Sequence, residues 1–386
     1  MSSDLPGQEK TMLVPRRDVD ADRAPGPRIG PYIGASRLGV GGHGIVYRAR
    51  DAALGRKVAV KEYMPATLAQ RAPWGGVRPR SERHEAAFAA GLKSFLNEAK
   101  LLAFFDHPAL VKVHQFWAEN GTAYMAMTLY EGMTLKAWLA QLGAPPSEAW
   151  LRQMAGELIE VLGLMHERQC YHRDIAPDNI LMRFDKSSGS GSFLEQRPHP
   201  LLLDFGSARR VIGQETQTLT AVLKPGYSPP EQYDGETSQR QGPWTDVYAL
   251  AAVLYTAVFG KPPPSSVARL IKDEMVPAAV AGAGRYSPSF LSALDAGLEV
   301  RPETRLRSMA EFKQRLGSGE GFVPESAAAT AGGLSGFGAA AGGASMRPMP
   351  AVQPPPPSRG QRLLEVVLIA VLVLALLAAA WFWFAR

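Results

Sequence analysis

The chain has 386 residues, 46% of them hydrophobic and 20% charged, a balance that permits two or three domains and excludes wholesale disorder. One cysteine, Cys170, excludes an intrachain disulfide framework and any cysteine-based zinc site. The net charge of +6 comes without a basic run able to track a phosphate backbone, so no nucleic acid is expected as a partner.

Residues 1–28 are polar and proline-bearing and lack the apolar core of a signal peptide. They read as a disordered arm that stays in the cytoplasm. Composition turns globular over 29–316. Short β-branched runs come first, Gly44-Ile45-Val46-Tyr47 and Lys57-Val58-Ala59-Val60-Lys61, and read as strands. Apolar positions 95, 96, 99, 101 and 102 have helical spacing. Asn120-Gly121 separates two further apolar runs, a hairpin signal because both positions need a positive φ. After Thr134 the pattern is mostly helical. The expectation is an α+β architecture: a small β-rich lobe over 29–128 and a larger helical lobe over 132–316.

Residues 317–362 hold 10 Gly, 7 Pro and 9 Ala and read as a flexible tether spanning roughly 35–40 Å as a random coil. Next, 363–384 reads as a transmembrane helix. Its 19 uninterrupted apolar residues, 366–384, rise about 28 Å, the thickness of a bilayer core. Trp381 and Trp383 suit one interface, and Arg359 and Arg362 the other. Only Ala385 and Arg386 follow, so a single-pass C-terminal tail anchor is expected, with the globular segment cytoplasmic.

Six motifs follow one another inside the globular segment. Gly39-Val40-Gly41-Gly42-His43-Gly44-Ile45-Val46 reads G-x-G-x-x-G-x-V. A dinucleotide-binding turn would need a helix directly after the glycines, whereas here a strand continues, which favours a strand–turn–strand flap over phosphates. Lys61 closes the next strand, and Glu98 on the following helix is its candidate ion-pair partner. His172-Arg173-Asp174-Ile175-Ala176-Pro177-Asp178-Asn179 comes next, then Asp204-Phe205-Gly206, Ser228-Pro229-Pro230-Glu231, Asp246-Val247-Tyr248, and Arg301-Pro302-Glu303-Thr304-Arg305. Each is weak or moderate singly; the ordered set is specific.

Over about residues 30–316 the chain resembles the eukaryotic-like (Hanks-type) protein kinases, their bacterial serine/threonine branch in particular. The resemblance implies the bilobal protein-kinase fold, here with one C-terminal transmembrane helix, and transfer of the γ-phosphoryl group of ATP to protein hydroxyls with Mg2+. It makes Asp174 the group that accepts the substrate hydroxyl proton, and Asn179 and Asp204 the Mg2+ ligands. Lys61 would bind the α- and β-phosphates, aimed by Glu98. Gly39, Gly41 and Gly44 would let backbone N–H groups approach phosphate oxygens. Val46, Ala59 and Leu181 would sandwich adenine, with Met127 as gatekeeper and Leu129 within the hinge. Glu231 and Arg305 would form a buried structural ion pair, and Leu102, Val113, His172 and Phe205 a regulatory stack.

Two departures stand out. The residue two after the catalytic aspartate is normally lysine in this family, and here it is Ala176. A threonine usually precedes Pro-Gly-Tyr in the substrate loop, and here it is Lys224. The expectation is that Lys224 supplies from that loop the charge missing at Ala176. Two other readings have a footing in the sequence. Tyrosine specificity draws on Ala176, but Lys224-Pro225-Gly226-Tyr227 follows the serine/threonine pattern. A membrane-tethered pseudokinase scaffold would be expected to lose one of Lys61, Glu98, Asp174, Asn179 or Asp204, and all five are present. Arg173 could receive a phosphate on Thr216, Thr218 or Thr220, and tethering in a plane would favour self-association and autophosphorylation. The stretch 64–86 reads as a packed loop, with a regulatory contact as the alternative.

Overall fold

The computed structural model describes residues 27–42, 44–184, 198–203, 209–210, 223–233 and 241–317. Two lobes follow one another along the chain. The first begins with β1 (Tyr32–Gly41), β2 (Gly44–Asp51) and β3 (Lys57–Tyr63), then β4 (Ala69–Arg71), β5 (Val77–Pro79), α1 (Glu85–Leu102), β6 (Val113–Glu119) and β7 (Thr122–Thr128). Five of these strands form one antiparallel sheet in the order β1-β2-β3-β7-β6. Strand alternation gives β3 two working faces. Ala59 and Tyr63 join the large core with Phe88 and Phe95 of α1. Val58 and Val60 face a second cluster with Tyr32, Ala49 and Tyr124. Lys61 shares the parity of Ala59 and Tyr63 and so lies on the α1 face.

The β6–β7 hairpin turns on Asn120 (φ 55°) and Gly121 (φ 75°), as Asn-Gly requires. Two readings of the sequence change. The helix begins at Glu85, ten residues before the apolar run that signals it, because Phe88 and Gly91 already bury against Tyr63. The stretch 64–86 is not a plain loop: it contains the β4–β5 hairpin and a 3-10 turn before α1.

The second lobe comprises β8 (Gly132–Thr134), α2 (Leu135–Leu142), α3 (Glu148–Glu167), β9 (Cys170–Tyr171), β10 (Ile180–Arg183), β11 (His199–Leu202), β12 (Arg209–Arg210), α4 (Pro243–Phe259), α5 (Ser266–Ile271), α6 (Ala278–Ala281), α7 (Pro288–Gly297) and α8 (Met309–Gly317). Side-chain caps fix three helix starts: Thr134 accepts from Ala137 N, Ser147 from Trp150 N, and Ser287 from Phe290 N. Helix α4 starts at Pro243, stops at Gly260 with φ 71°, and is buried over nearly its whole length, so it is the post around which this lobe packs.

No helix among the described residues is long and apolar enough to cross a membrane. The arm 1–28 (but for its last two residues), the tether 317–362 (but for its first residue) and the apolar segment 363–384 lie outside the described residues, as do His43, Asp204, Phe205, Gly206, Thr216, Thr218 and Thr220.

Candidate active site

On the first lobe, the β1–β2 turn puts Gly41 opposite Gly44 and Gly39 opposite Val46. The glycines have different physical causes. A Cβ on Gly44 would stand 1.9 Å from the Glu62 carbonyl oxygen, so glycine is dictated there by the approach of β3. Around Gly39 and Gly42 a Cβ would meet nothing within 4 Å. Packing does not demand glycine there, and the bare backbone leaves room for a ligand.

Lys61 is opposite Val46 on one side and Met125 on the other. Its Nζ is 3.7 Å from Glu98 Oε1, with both side chains 7% exposed, and lies 6.0 Å from the Phe95 ring centroid. The helix thus delivers a carboxylate to the buried lysine, the arrangement expected of a phosphate-binding ammonium. Ala59 pairs directly with Met127, and both are buried. Leu181 is buried on β10, while Val46 and Leu129 are half-buried against the core.

On the second lobe, the loop between β9 and β10 carries His172 to Asn179. Arg173 has φ 63°, a left-handed conformation that costs a bulky residue on the order of 1–3 kcal/mol. A clamp holds it. Asp246 Oδ1 accepts from Arg173 N and Oδ2 from His172 N, both at 2.8 Å, and His166 Nε2 is 2.8 Å from Oδ2. Gln232 Nε2 donates to Arg173 O at 2.7 Å. Burial works to raise the Asp246 carboxyl, but the bond from His166, the nearby His172 and the Arg173 amide outweigh it and hold it below the usual aspartate range.

The clamped loop presents Asp174. Asn179 Nδ2 donates to Asp174 Oδ2 at 2.7 Å and to Asp174 O at 2.8 Å. This leaves the Asn179 carbonyl oxygen as the amide atom not given to Asp174, and a hard oxygen donor is what Mg2+ takes. Lys224 Nζ is 2.9 Å from Asp174 Oδ1 and 2.8 Å from Asp178 Oδ1. Burial disfavours the ammonium, yet the Asp174 and Asp178 carboxylates prevail and raise it above the usual lysine range. Ala176 is buried, and its methyl contributes no charge.

Glu231 and Arg305 meet at 2.7 Å in the core. Leu102 and His172 are buried and Val113 is half-buried against the same core; their fourth companion, Phe205, is outside the described residues. Sequence reasoning gave no role to Asp178, Asp246 or Gln232. Asp178 sits inside a motif that was legible, beside Asn179; Gln232 carries no local signal, since its partner is a backbone carbonyl far along the chain.

A family profile described as protein kinase domain matches residues 32–315. Serine/threonine-protein kinase PknD of Mycobacterium tuberculosis is 29% identical over 300 residues, covering 76% of this chain and 40% of PknD. Serine/threonine-protein kinase Pkn1 of Myxococcus xanthus is 26% identical over 300 residues, covering 75% of this chain and 38% of Pkn1. The chain therefore spans about two fifths of the length of these curated relatives. Among solved structures, "PpkA-294 apo form" is similar at a TM-score of 0.65 and 42% identity, over 77% of this chain and 100% of that one.

Proposed function

The chain belongs to the protein kinase family, and from that premise we propose that it is a serine/threonine kinase moving the γ-phosphoryl group of ATP onto protein hydroxyls. The observation that carries the reading is the buried Lys61–Glu98 pair. An enclosed lysine stays charged because a carboxylate faces it, and an ammonium held charged and in place is the kind of fixed positive group that nucleotide phosphates bind.

In this reading Asp174 accepts the hydroxyl proton as the oxygen attacks, and its bond to Asn179 fixes the carboxylate's orientation before substrate arrives. Lys61 orients the nucleotide phosphates, and the bare backbone at Gly39 and Gly42 admits phosphate oxygens. Val46, Ala59, Met127, Leu129 and Leu181 offer the apolar surface that excludes water around adenine. Asn179 would hold Mg2+ together with Asp204, and the ion would neutralise charge building on the transferred group. Membrane attachment through 363–384, a cytoplasmic kinase lobe pair and autophosphorylation between neighbouring copies belong to the same proposal, supported by the apolar run and the threonines 216, 218 and 220 of the sequence.

The full chain, incubated with Mg-ATP and a generic acceptor such as dephosphorylated casein, should yield phosphoserine or phosphothreonine mapped by mass spectrometry. No phosphotransfer by a folded, nucleotide-binding chain would overturn the enzyme reading in favour of a scaffold. Fractionation with membranes after a high-salt wash tests the anchor; release by salt would overturn it.

A further inference from the structure

The turn that brings Lys224 to Asp174 is bolted down by bonds of its own to α4 and α5. Lys224 N donates to Ser228 Oγ at 3.1 Å, and Tyr227 N and Ser228 N both return to Lys224 O at 3.0 Å. Gly226 has φ 89°, and a Cβ there would stand 2.8 Å from Pro263 O, so the turn is tight and closely covered. Ser266 Oγ of α5 donates to Ser228 O at 2.7 Å, and the Tyr227 hydroxyl bonds Thr256 Oγ1 of α4 at 3.1 Å. From this fixed turn the lysine stem reaches back to two carboxylates of the catalytic loop.

Three features distinguish this ammonium from a strut. It is 23% exposed and Asp174 is 20% exposed, so the pair borders solvent and is not sealed in the core. An ammonium carries three donors; Asp174 and Asp178 take two, which leaves one for a third acceptor. Finally, two carboxylates here would repel an incoming phosphate, and one cation between them reverses that for the oxygen nearest Asp174. Ala176 on the catalytic loop itself can do none of this.

We propose that Lys224 is a catalytic residue that contacts the transferring phosphoryl group beside Asp174, with Asp178 as the positioning residue that holds its ammonium there. The charge reaches the site from the substrate-side turn, so its delivery depends on that turn being seated on α4 and α5. The proposal rests on the kinase reading above and names a further member of its site. No new covalent chemistry is involved: the hydroxyl oxygen bonds phosphorus, the bond to the β-phosphate oxygen breaks, and the proton goes to Asp174, while Lys224 stays protonated throughout.

The full chain is assayed as wild type, Lys224→Met, Asp178→Asn, and Lys224→Met with Ala176→Lys. Methionine keeps the packing of the aliphatic stem while removing the charge. Turnover is measured with casein, and binding of Mg-ADP is measured with and without aluminium fluoride, which mimics the phosphoryl group in transfer. Lys224→Met should lower kcat about 10²–10³-fold with the KM for ATP and the Mg-ADP affinity within about threefold of wild type. The extra affinity gained with aluminium fluoride should fall at least about tenfold, a loss that a mere strut would not cause. Ala176→Lys should return about tenfold or more of the lost turnover. Asp178→Asn should lower kcat about tenfold at unchanged Mg-ADP affinity.

An active wild type with Lys224→Met at undiminished kcat and undiminished aluminium fluoride affinity overturns the proposal and leaves the kinase reading intact. If Lys224→Met does not fold, Asp178→Asn decides, and wild-type kcat in that variant overturns the proposal. A wild type that binds nucleotide but transfers nothing overturns the kinase reading and this inference with it.

Discussion

Residues 223–233 carry two ion pairs seven positions apart, and they could hardly differ more. Glu231 meets Arg305 where the two side chains are 3% and 0% exposed, and every arm of the guanidinium is engaged. Arg305 Nη1 donates to Glu231 Oε1 at 2.7 Å and to Trp244 O at 3.0 Å, Nη2 to Val300 O at 2.8 Å, and Nε to Glu299 O at 2.7 Å. Thr245 Oγ1 adds a bond to Glu231 Oε1 at 3.1 Å. Nothing is left over for a ligand. Lys224 meets Asp174 and Asp178 at the border of solvent, with one donor still to give. A saturated pair holds a segment in place; an unsaturated pair at the same segment's other end can act on something that arrives.

If that contrast is right, the two pairs should fail in different ways. Asp174→Asn should lower turnover about 10²–10⁴-fold, the range of a lost general base, while the melting temperature stays close to wild type. Steady-state kinetics and a thermal melt on the same preparation check both halves. Arg305→Met should do the reverse. It leaves the Glu231 carboxylate buried without its cation and should cost about 3–5 kcal/mol of stability, read by urea unfolding, with turnover per folded molecule retained. A stable, inactive Arg305→Met protein would break the comparison.

Asp246 sits between these extremes, a fully buried carboxylate whose bonds hold the left-handed Arg173 next to Asp174. Its carboxyl lies below the ordinary aspartate range in the fold. Its contribution is therefore complete above about pH 4 and drains away as pH falls through the depressed value. Asp246→Asn should be about 2–3 kcal/mol less stable near neutral pH, and the gap to wild type should close as the pH is lowered to about 2. Denaturant titrations across that span test it; a gap that does not change with pH would show that the carboxylate's charge is not what the loop relies on.

What the sequence made legible follows from how local each signal is. The Asn120-Gly121 turn, the strand of Lys61 and the motif from His172 to Asn179 can be read because residue type and spacing act within a few positions. Lys224 could be paired with Asp174 because two motif positions depart from the pattern together, Ala176 without a charge and Lys224 with one, and the ammonium does meet the carboxylate at 2.9 Å. Asp246 gripping the amides of His172 and Arg173, and Gln232 on the Arg173 carbonyl, could not be read. Those bonds join distant segments through backbone atoms, which any residue possesses, so no residue type at the receiving end announces them. The β4–β5 hairpin was obscured for a related reason: with three residues per strand, it has too short a pattern to show alternation.

That hairpin supplies the mildest test, on a third ion pair of intermediate character. Glu62 follows Lys61 on β3, points to the opposite face of the sheet and is buried. It accepts from the Tyr47 hydroxyl at 2.9 Å, from the Tyr124 hydroxyl at 3.0 Å and from Arg71 Nη1 at 2.7 Å, with Arg71 Nη2 also in contact. Burial and the adjacent Glu62 carboxylate push both tyrosines up to about 12, so they remain donors throughout the neutral range. Arg71 is 38% exposed, so solvent screens its charge, and the two hydroxyls would still satisfy Glu62 without it. Arg71→Met should thus cost only about 1 kcal/mol, well below the Arg305→Met loss. Because strand parity turns Glu62 away from the Lys61–Glu98 face, the KM for ATP should stay within about twofold of wild type. A large rise in that KM with stability unchanged would mean that the hairpin steers Lys61 through β3, and the stretch 64–86 would then be a regulatory contact and not a packing element.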